Sequence, residues 1–393
     1  MRGTDSDNET GNKNNSLFFL RKKNRKNCGK YATAKGKQTV GLFDPLLMRI
    51  LFVYIWLLLL YQPAKAQTHR YKTCVIAFYN LENFYDTINN PLVNDDDFTP
   101  TGAKHYTKEI YLDKMEKLAT VISQIGTEIS STGPALLGVA EIENDTVLQA
   151  LTHHPFLVQR HYQLIHFDSR DARGIDVALL YNPSIFLPEK AAKLFVPLPG
   201  NSKEAYYTRD ILYTTGWLAG ERIHVYVNHW PSRRGGEERS SPAREAAARV
   251  CKNHFDSILL KEPAAKIIVM GDLNDDPDSP SITQTLAASP TIAQTRPGQL
   301  FNPWTHWYRN GIGTLANRDS WGLFDQILVS HAWLAPARDG FFFHSQHIFH
   351  PPYLTENTGR YKGYPMRTWD GNTYRGGYSD HFPTYIVLLK NLK

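Results

Sequence analysis

The sequence predicts an α/β fold, on three observations. Apolar runs of strand length recur along the chain, among them Ile267–Met270, which leads straight into Gly271, Asp272 and Asn274. Unbroken runs of this kind suit strands buried on both faces. Between the runs, apolar residues return every three or four positions, as in amphipathic helices. Finally, five of the runs end in Asn, Asp, Glu or His, so that one rim of a sheet would gather acids, amides and imidazoles.

The chain opens with a basic stretch. Residues 1–45 hold ten Lys/Arg and four Asp/Glu with no hydrophobic period, and residues 1–47 read as a disordered leader or an over-extended start. Met48 would then be the true start. Ile50–Tyr61 gives twelve apolar or aromatic residues, too few for a comfortable membrane span. Arg49 before this run, and Ala64, Lys65 and Ala66 after it, complete a charged n-region, an apolar h-region and an Ala-x-Ala cleavage site. Residues 48–66 are therefore expected to be a signal peptide and the protein to be exported, with no membrane insertion after cleavage; an uncleaved anchor is the alternative. Residues 1–66 carry +8 of a whole-chain +6, which leaves 6 − 8 = −2 for residues 67–393. The alkaline character belongs to the leader and gives no support for a basic nucleic-acid-binding surface on the rest.

Residues 70–393 show no linker, repeat or change of composition, so a single domain over residues 67–393 is expected. Cys74–Tyr79 reads as its first strand. Asp95, Asp96 and Asp97 lack the Gly and Glu that a calcium loop needs and are taken as solvated charge. Leu112, Met115, Leu118, Ile122 and Ile125 predict a helix ending near Gly126. Ala135–Ile142, Tyr162–Phe167, Ile175–Tyr181 and Glu221–Val227 follow as strands. A helix is expected from Ser241 and Pro242 to about Glu262, with proline at its tolerated first position. Leu323–Val329 and Thr384–Leu389 are the last strands. Cys74 and Cys251 fall on apolar faces and are expected to be buried thiols rather than a disulfide. Trp304, Trp307, Tyr308 and Trp321 suit either a stacking wall or core under a long loop, with core preferred.

The polar strand ends are Asn80 with Glu82, Glu141 with Glu143, His229, Asp272 with Asn274, and Asp380 with His381. Such a set suits a divalent cation and a phosphate-like group. The segments Asn80-Leu81-Glu82, Glu141, Asn228-His229, Gly271-Asp272-Leu273-Asn274, Asp325 and Ser379-Asp380-His381 resemble the endonuclease/exonuclease/phosphatase family, over about residues 72–390. The resemblance implies a four-layer α/β sandwich, two mixed β-sheets packed face to face with helices outside, and an active site along one rim. It also implies roles. Glu141, Asn80, Asp380 and Glu82 would hold Mg2+ or Mn2+; Asp272 would orient and deprotonate water, with Asn274 holding that water or a phosphate oxygen. His381, fixed by Asp325, and His229 would contact phosphate or the leaving oxygen. Glu143 is better explained as a supporting or solvated acid. Arg173 and Arg233 are candidate substrate-binding residues.

The function expected is an exported, monomeric, metal-dependent phosphodiesterase, first of all an endonuclease or exonuclease acting on nucleic acid. The alternatives are a lipid (sphingomyelinase-like) phosphodiesterase, a sugar or inositol phosphatase and, from another class, a non-catalytic module binding phosphate polymers. The sequence has no Gly-x-Ser-x-Gly, His-Glu-x-x-His, Cys-x-x-Cys or phosphate-binding Gly/Lys loop, which removes the commoner rival chemistries. A glycosidase built on Glu141 and Glu143 would leave the Asp272/Asn274 and Asp380/His381 pairs unexplained.

Overall fold

Alternation of side chains along a strand sends neighbouring residues to opposite faces, and a strand apolar at every position must be covered on both. The computed structural model, which describes residues 44–60, 70–200, 207–335 and 340–392, places the apolar runs in that situation. The chain divides into two units, Met1–Gln67 and Thr68–Lys393. In the first, α1 (Pro45–Leu60) carries the apolar run, with Leu47, Leu51, Tyr54 and Trp56 exposed. No helix among the described residues is long and apolar enough to cross a membrane. The expected cleavage point after Ala66, and the leader up to residue 43, lie outside the described residues.

Among its described residues the second unit has sixteen strands. In chain order they are β1 (Arg70–Phe84), β2 (Leu136–Ile142), β3 (Gln163–His166), β4 (Asp176–Tyr181), β5 (Phe186–Leu194), β6 (Ile211–Leu218), β7 (Glu221–His229) and β8 (Lys266–Asp272). They continue with β9 (Leu300–Phe301), β10 (Leu315–Asn317), β11 (Ser320–Gly322), β12 (Asp325–Ser330), β13 (Phe341–Ile348), β14 (Trp369–Asp370), β15 (Thr373–Tyr374) and β16 (Thr384–Leu392). The helices are α2 (Lys108–Gln124), α3 (Asp145–Thr152), α4 (Glu237–Leu259) and the short α5 (Thr305–Arg309). One six-stranded sheet runs β13-β16-β1-β2-β4-β3 and the other β5-β6-β7-β8-β12-β9. Each has a single parallel pair at its centre, β1 with β2 and β7 with β8, flanked by antiparallel neighbours.

The period of two sorts the second sheet cleanly. Val225, Val227, Ile268, Met270, Ile327 and Val329 pack into one core with β1, β2 and β4, whereas Tyr226, Ile267, Val269 and Leu328 pack into another with Ala247, Cys251 and Phe255 of α4. The sheets therefore face each other, with helices on the outside. They approach closely at Gly138, where an added Cβ would lie 2.6 Å from Met270 Sδ.

Four expectations need adjustment or are met at this level. Both thiols are free and buried, and burial pushes Cys74 up to about 12. Helix α4 starts at Glu237, so Pro242 lies inside it rather than at its first position. The opening turn is held instead by Ser240, whose hydroxyl donates to Gly236 O, and by Arg244, which donates to Glu237 O. Asp95 is not solvated: it is buried and accepts from Asn90 N–H at 2.8 Å, tying down its own loop. Of the aromatic cluster, Trp304 is fully buried and donates to Ile327 O, while Trp307, Tyr308 and Trp321 are only partly covered.

Candidate active site

Three of the site residues are neighbours by strand register alone. His229 at the end of β7 pairs with Asp272 at the end of β8, and Asp272 pairs in turn with Asp325 at the start of β12. The facing sheet supplies Asn80 from β1 and Glu141 from β2, and His381 from the turn that enters β16. Glu141 sits where β2 shifts register, at φ 60°, and such a bulge re-aims a side chain.

Asp272 is the centre of the group. Its Oδ2 accepts from Asn80 Nδ2 at 3.0 Å and lies 3.6 Å from His229 Nε2 and 3.9 Å from His381 Nε2. Its Oδ1 accepts from Asn274 N–H at 2.9 Å. Behind His381, Nδ1 is 2.7 Å from Asp325 Oδ2, and the same oxygen accepts from the Thr314 hydroxyl. Glu141 holds one oxygen on Asn83 N–H at 2.9 Å and turns the other to within 3.7 Å of His229 Nε2. Asp380 is a third exposed, with Oδ1 3.8 Å from His381 Nε2.

Burial sets the charges. It drives the Asp272 carboxyl up to about 7, with His381 pulling the other way. His229 is held well below the ordinary imidazole value by burial, then by Arg209, Arg173 and His381. For His381 burial also disfavours the charge, but Asp325, Asp272 and Asp380 together outweigh it and hold the ring well above the usual value. The two histidines are thus pushed apart into a neutral one and a cationic one, with a carboxylate between them whose affinity for protons is near neutral pH. Environments that split like groups in this way mark acid and base roles.

The sequence profile of the Endonuclease/Exonuclease/phosphatase family matches residues 75–390. The chain belongs to that family. It is accordingly a metal-dependent hydrolase of phosphoric esters, with the family's α/β sandwich. Among solved structures, an endonuclease/exonuclease/phosphatase family protein from Bacteroides thetaiotaomicron is similar at 17% identity and TM-score 0.52, covering 82% of this chain and 100% of its own. The B. thetaiotaomicron mannosyl-6-phosphatase is similar at 16% and 0.49, covering 80% and 99%, and D. rerio TDP2 complexed with single strand DNA product at 14% and 0.49, covering 81% and 99%. No curated protein sequence matches the chain.

The family's divalent ion suits the oxygen donors present. Glu141 keeps one carboxylate oxygen off the backbone, Asp380 is partly open, and Asn80 adds an amide. Buried beside them is Lys114, whose ammonium is lowered to about 8 by burial while Glu82, Asp380 and Glu141 all act to raise it. Acids that gather around one point in this way fit a cation with hard oxygen ligands. Glu141, Asp380 and Asn80 would hold that ion, which when bound polarises a phosphoryl oxygen and offsets its charge.

Glu82 stands apart from this expected ligand role. The backbone turns to positive φ at Glu82 and Asn83, and both Glu82 oxygens are taken by the N–H groups of Thr368 (2.6 Å) and Trp369 (3.2 Å). It clamps the loop before β14 to the end of β1, and burial, then Asp380, push it up to about 7. Glu143 likewise supports a loop, accepting from Asp86 N–H at 2.6 Å.

Arg233 departs from its expected role as well. It donates to Asn274 O, Glu237 and Asp276 and lies over the Phe324 ring, so its guanidinium anchors the loop after β8 instead of facing substrate. Asn274, at φ 49°, donates its side-chain amide to Trp230 O and shapes the same loop. Arg173 is 42% exposed beside Asp171, and its charge reaches His229. Sequence reasoning missed Arg209, Lys114 and Thr314. Arg209 is buried, donates to the carbonyls of His229 and Trp230 and pairs with Asp171 at 3.1 Å. The one signal for Lys114 was a lysine four residues before Leu118, on the core face of α2.

Proposed function

We propose that this chain is a phosphodiesterase that cleaves nucleic acid by in-line attack of water. The observation that supports this most is the convergence of His229 and His381 on one oxygen of Asp272. Asp272, oriented by Asn80, accepts the proton of the attacking water; its near-neutral affinity suits general-base work. The cationic ring of His381, held by Asp325, donates from Nε2 to a non-bridging phosphoryl oxygen. His229 has Nδ1 buried without a partner, which favours the neutral tautomer with the proton on Nε2, where it can serve the leaving oxygen.

A nucleic-acid substrate is favoured by the wall beside His381. Trp321 and Phe382 stack at 16° and 6.3 Å and line a pocket of about 270 Å³ with Ile312, Ile348 and His350, a surface suited to a base. We further propose export, with residues 48–66 as signal peptide, on the exposed apolar face of α1 and its short length. The test is hydrolysis of single-stranded oligonucleotide, plasmid DNA, RNA, sphingomyelin, p-nitrophenyl phosphate and bis(p-nitrophenyl) phosphate with Mg2+, Mn2+ or EDTA. EDTA-sensitive cleavage of nucleic acid, lost by about 10²–10⁴-fold in Asp272→Asn with an unchanged circular dichroism spectrum, is expected. Turnover of the monoester or the lipid alone would overturn the substrate, and full activity of Asp272→Asn would overturn the site.

A further inference from the structure

Resting on the nuclease reading, we infer that the pocket between the β10–β11 turn and the loop at residues 355–368 binds a second phosphate of the strand being cleaved. The pocket is about 180 Å³ and is lined by Arg318, Arg360 and Arg367, with Asn317, Tyr361 and Tyr364. Three arginines from two separate segments line a space large enough to admit a phosphate. Guanidinium forks match the geometry of phosphate oxygens.

The charge count favours an anion. The one acid in the lining, Asp319, has its Oδ1 accepting from the Tyr364 hydroxyl at 2.7 Å, while Asp319 N–H donates to that same hydroxyl at 2.6 Å. Tyr364 thereby ties the hairpin tip to the loop and fixes where Arg318 and Arg360 stand. Arg318 and Asp319 both take left-handed backbone, φ 49° and 62°, as a two-residue hairpin turn requires. The loop is held in its turn by main-chain pairing of Glu356 with Tyr364. Arg367 has only a loose approach to Asp380, 3.8 Å, so most of its donors remain available.

Position makes the pocket part of the same substrate path. One residue, Asp380, stands between Arg367 and the His381 ring. Trp321, on the base-sized wall, touches Tyr364 edge-on at 5.8 Å, so the aromatic pocket and the arginine pocket adjoin. A strand whose scissile phosphate lies at Asp272 and His381 would place a base against Trp321 and Phe382 and its next phosphate among the arginines. A substrate with one phosphate would leave this pocket untouched.

The double variant Arg318→Gln/Arg360→Gln tests this, because neither residue touches the reacting groups. Cleavage of a single-stranded oligonucleotide should show KM raised by about tenfold or more, with kcat/KM for bis(p-nitrophenyl) phosphate unchanged. In EDTA, the dependence of log binding constant on log salt should flatten by roughly 0.7 for the one lost phosphate contact. Equal losses on both substrates would make the arginines structural, and no loss on either would remove the pocket from the path; each overturns the inference. Calorimetric binding of inorganic phosphate to the metal-free protein judges the pocket apart from catalysis: the double variant should lose one site, and coincident isotherms would refute it. Hydrolysis of bis(p-nitrophenyl) phosphate without oligonucleotide cleavage would instead refute the nuclease reading.

Discussion

Replacing Gly271 with alanine should damage the site without touching any group that reacts. Gly271 has φ 155°, and a Cβ there would fall 2.2 Å from the carbonyl oxygen of Asn228 on the adjacent parallel strand. Real Cβ atoms stay at least 3.0 Å away, so β7 and β8 must part by at least 3.0 − 2.2 = 0.8 Å at the rung beside His229 and Asp272. Ladder bonds of ordinary length would stretch past bonding distance, at about 1 kcal/mol each. With backbone strain of about 1–3 kcal/mol, the total is roughly 3–5 kcal/mol, or about 4–8 °C in Tm for a domain of this size. Displacing two reacting groups by about 1 Å costs on the order of 100-fold in kcat/KM. Differential scanning calorimetry and oligonucleotide hydrolysis read the two effects. A Gly271→Ala protein that melts and hydrolyses like the parent would show that the strands are not in close contact at this rung.

The remaining predictions concern residues outside the reacting set. Arg233→Ala should lower stability by about 1–2 kcal/mol, since it removes donors to four partners and the stack on Phe324, and should leave KM unchanged; a raised KM at unchanged Tm would return Arg233 to the substrate. His166 is buried between Asp145 and Asp176, and although burial opposes its charge, these carboxylates raise its pKa above the ordinary value. A raised folded-state pKa gives stability that is complete below about 6.5 and is lost as pH climbs through the folded value. The Tm difference between the parent and His166→Gln should therefore be larger at pH 6 than at pH 8.5, and a difference that grows with pH would reverse the assignment.

The polar ends of the central strands were legible because both signals are local. An apolar run such as Ile267–Met270 must be buried, and Asp272, just past it, must then lie on the rim. Register did the rest, setting His229, Asp272 and Asp325 side by side. What sequence could not show were groups whose meaning depends on distant partners. Arg209 looks like any loop arginine until the carbonyls of His229 and Trp230 close around it, and Lys114 like any helix lysine until Glu82 and Asp380 face it. Arg233 misled for the same reason: its partners, Asp276 and Asn274, lie forty residues on, and nothing local tells an anchoring guanidinium from a binding one. Strand β5 escaped notice because it is mostly exposed and so lacks the apolar run that marks the buried strands.

The place of β16 has a consequence for how the protein comes into being. The last strand in the chain is not an edge; it lies between β13 and β1, pairing with the first strand from Arg70 opposite Leu392 to Phe78 opposite Thr384. A nascent chain lacking its final residues therefore has a split first sheet, with β1 and β13 each offering an unpaired apolar edge of the kind that recruits other chains. His381, at the entry to β16, reaches Asp325 only when that gap closes. Release before β16 has entered the sheet should yield aggregation and no partial activity, because the proposed reacting groups come together only with that strand in place.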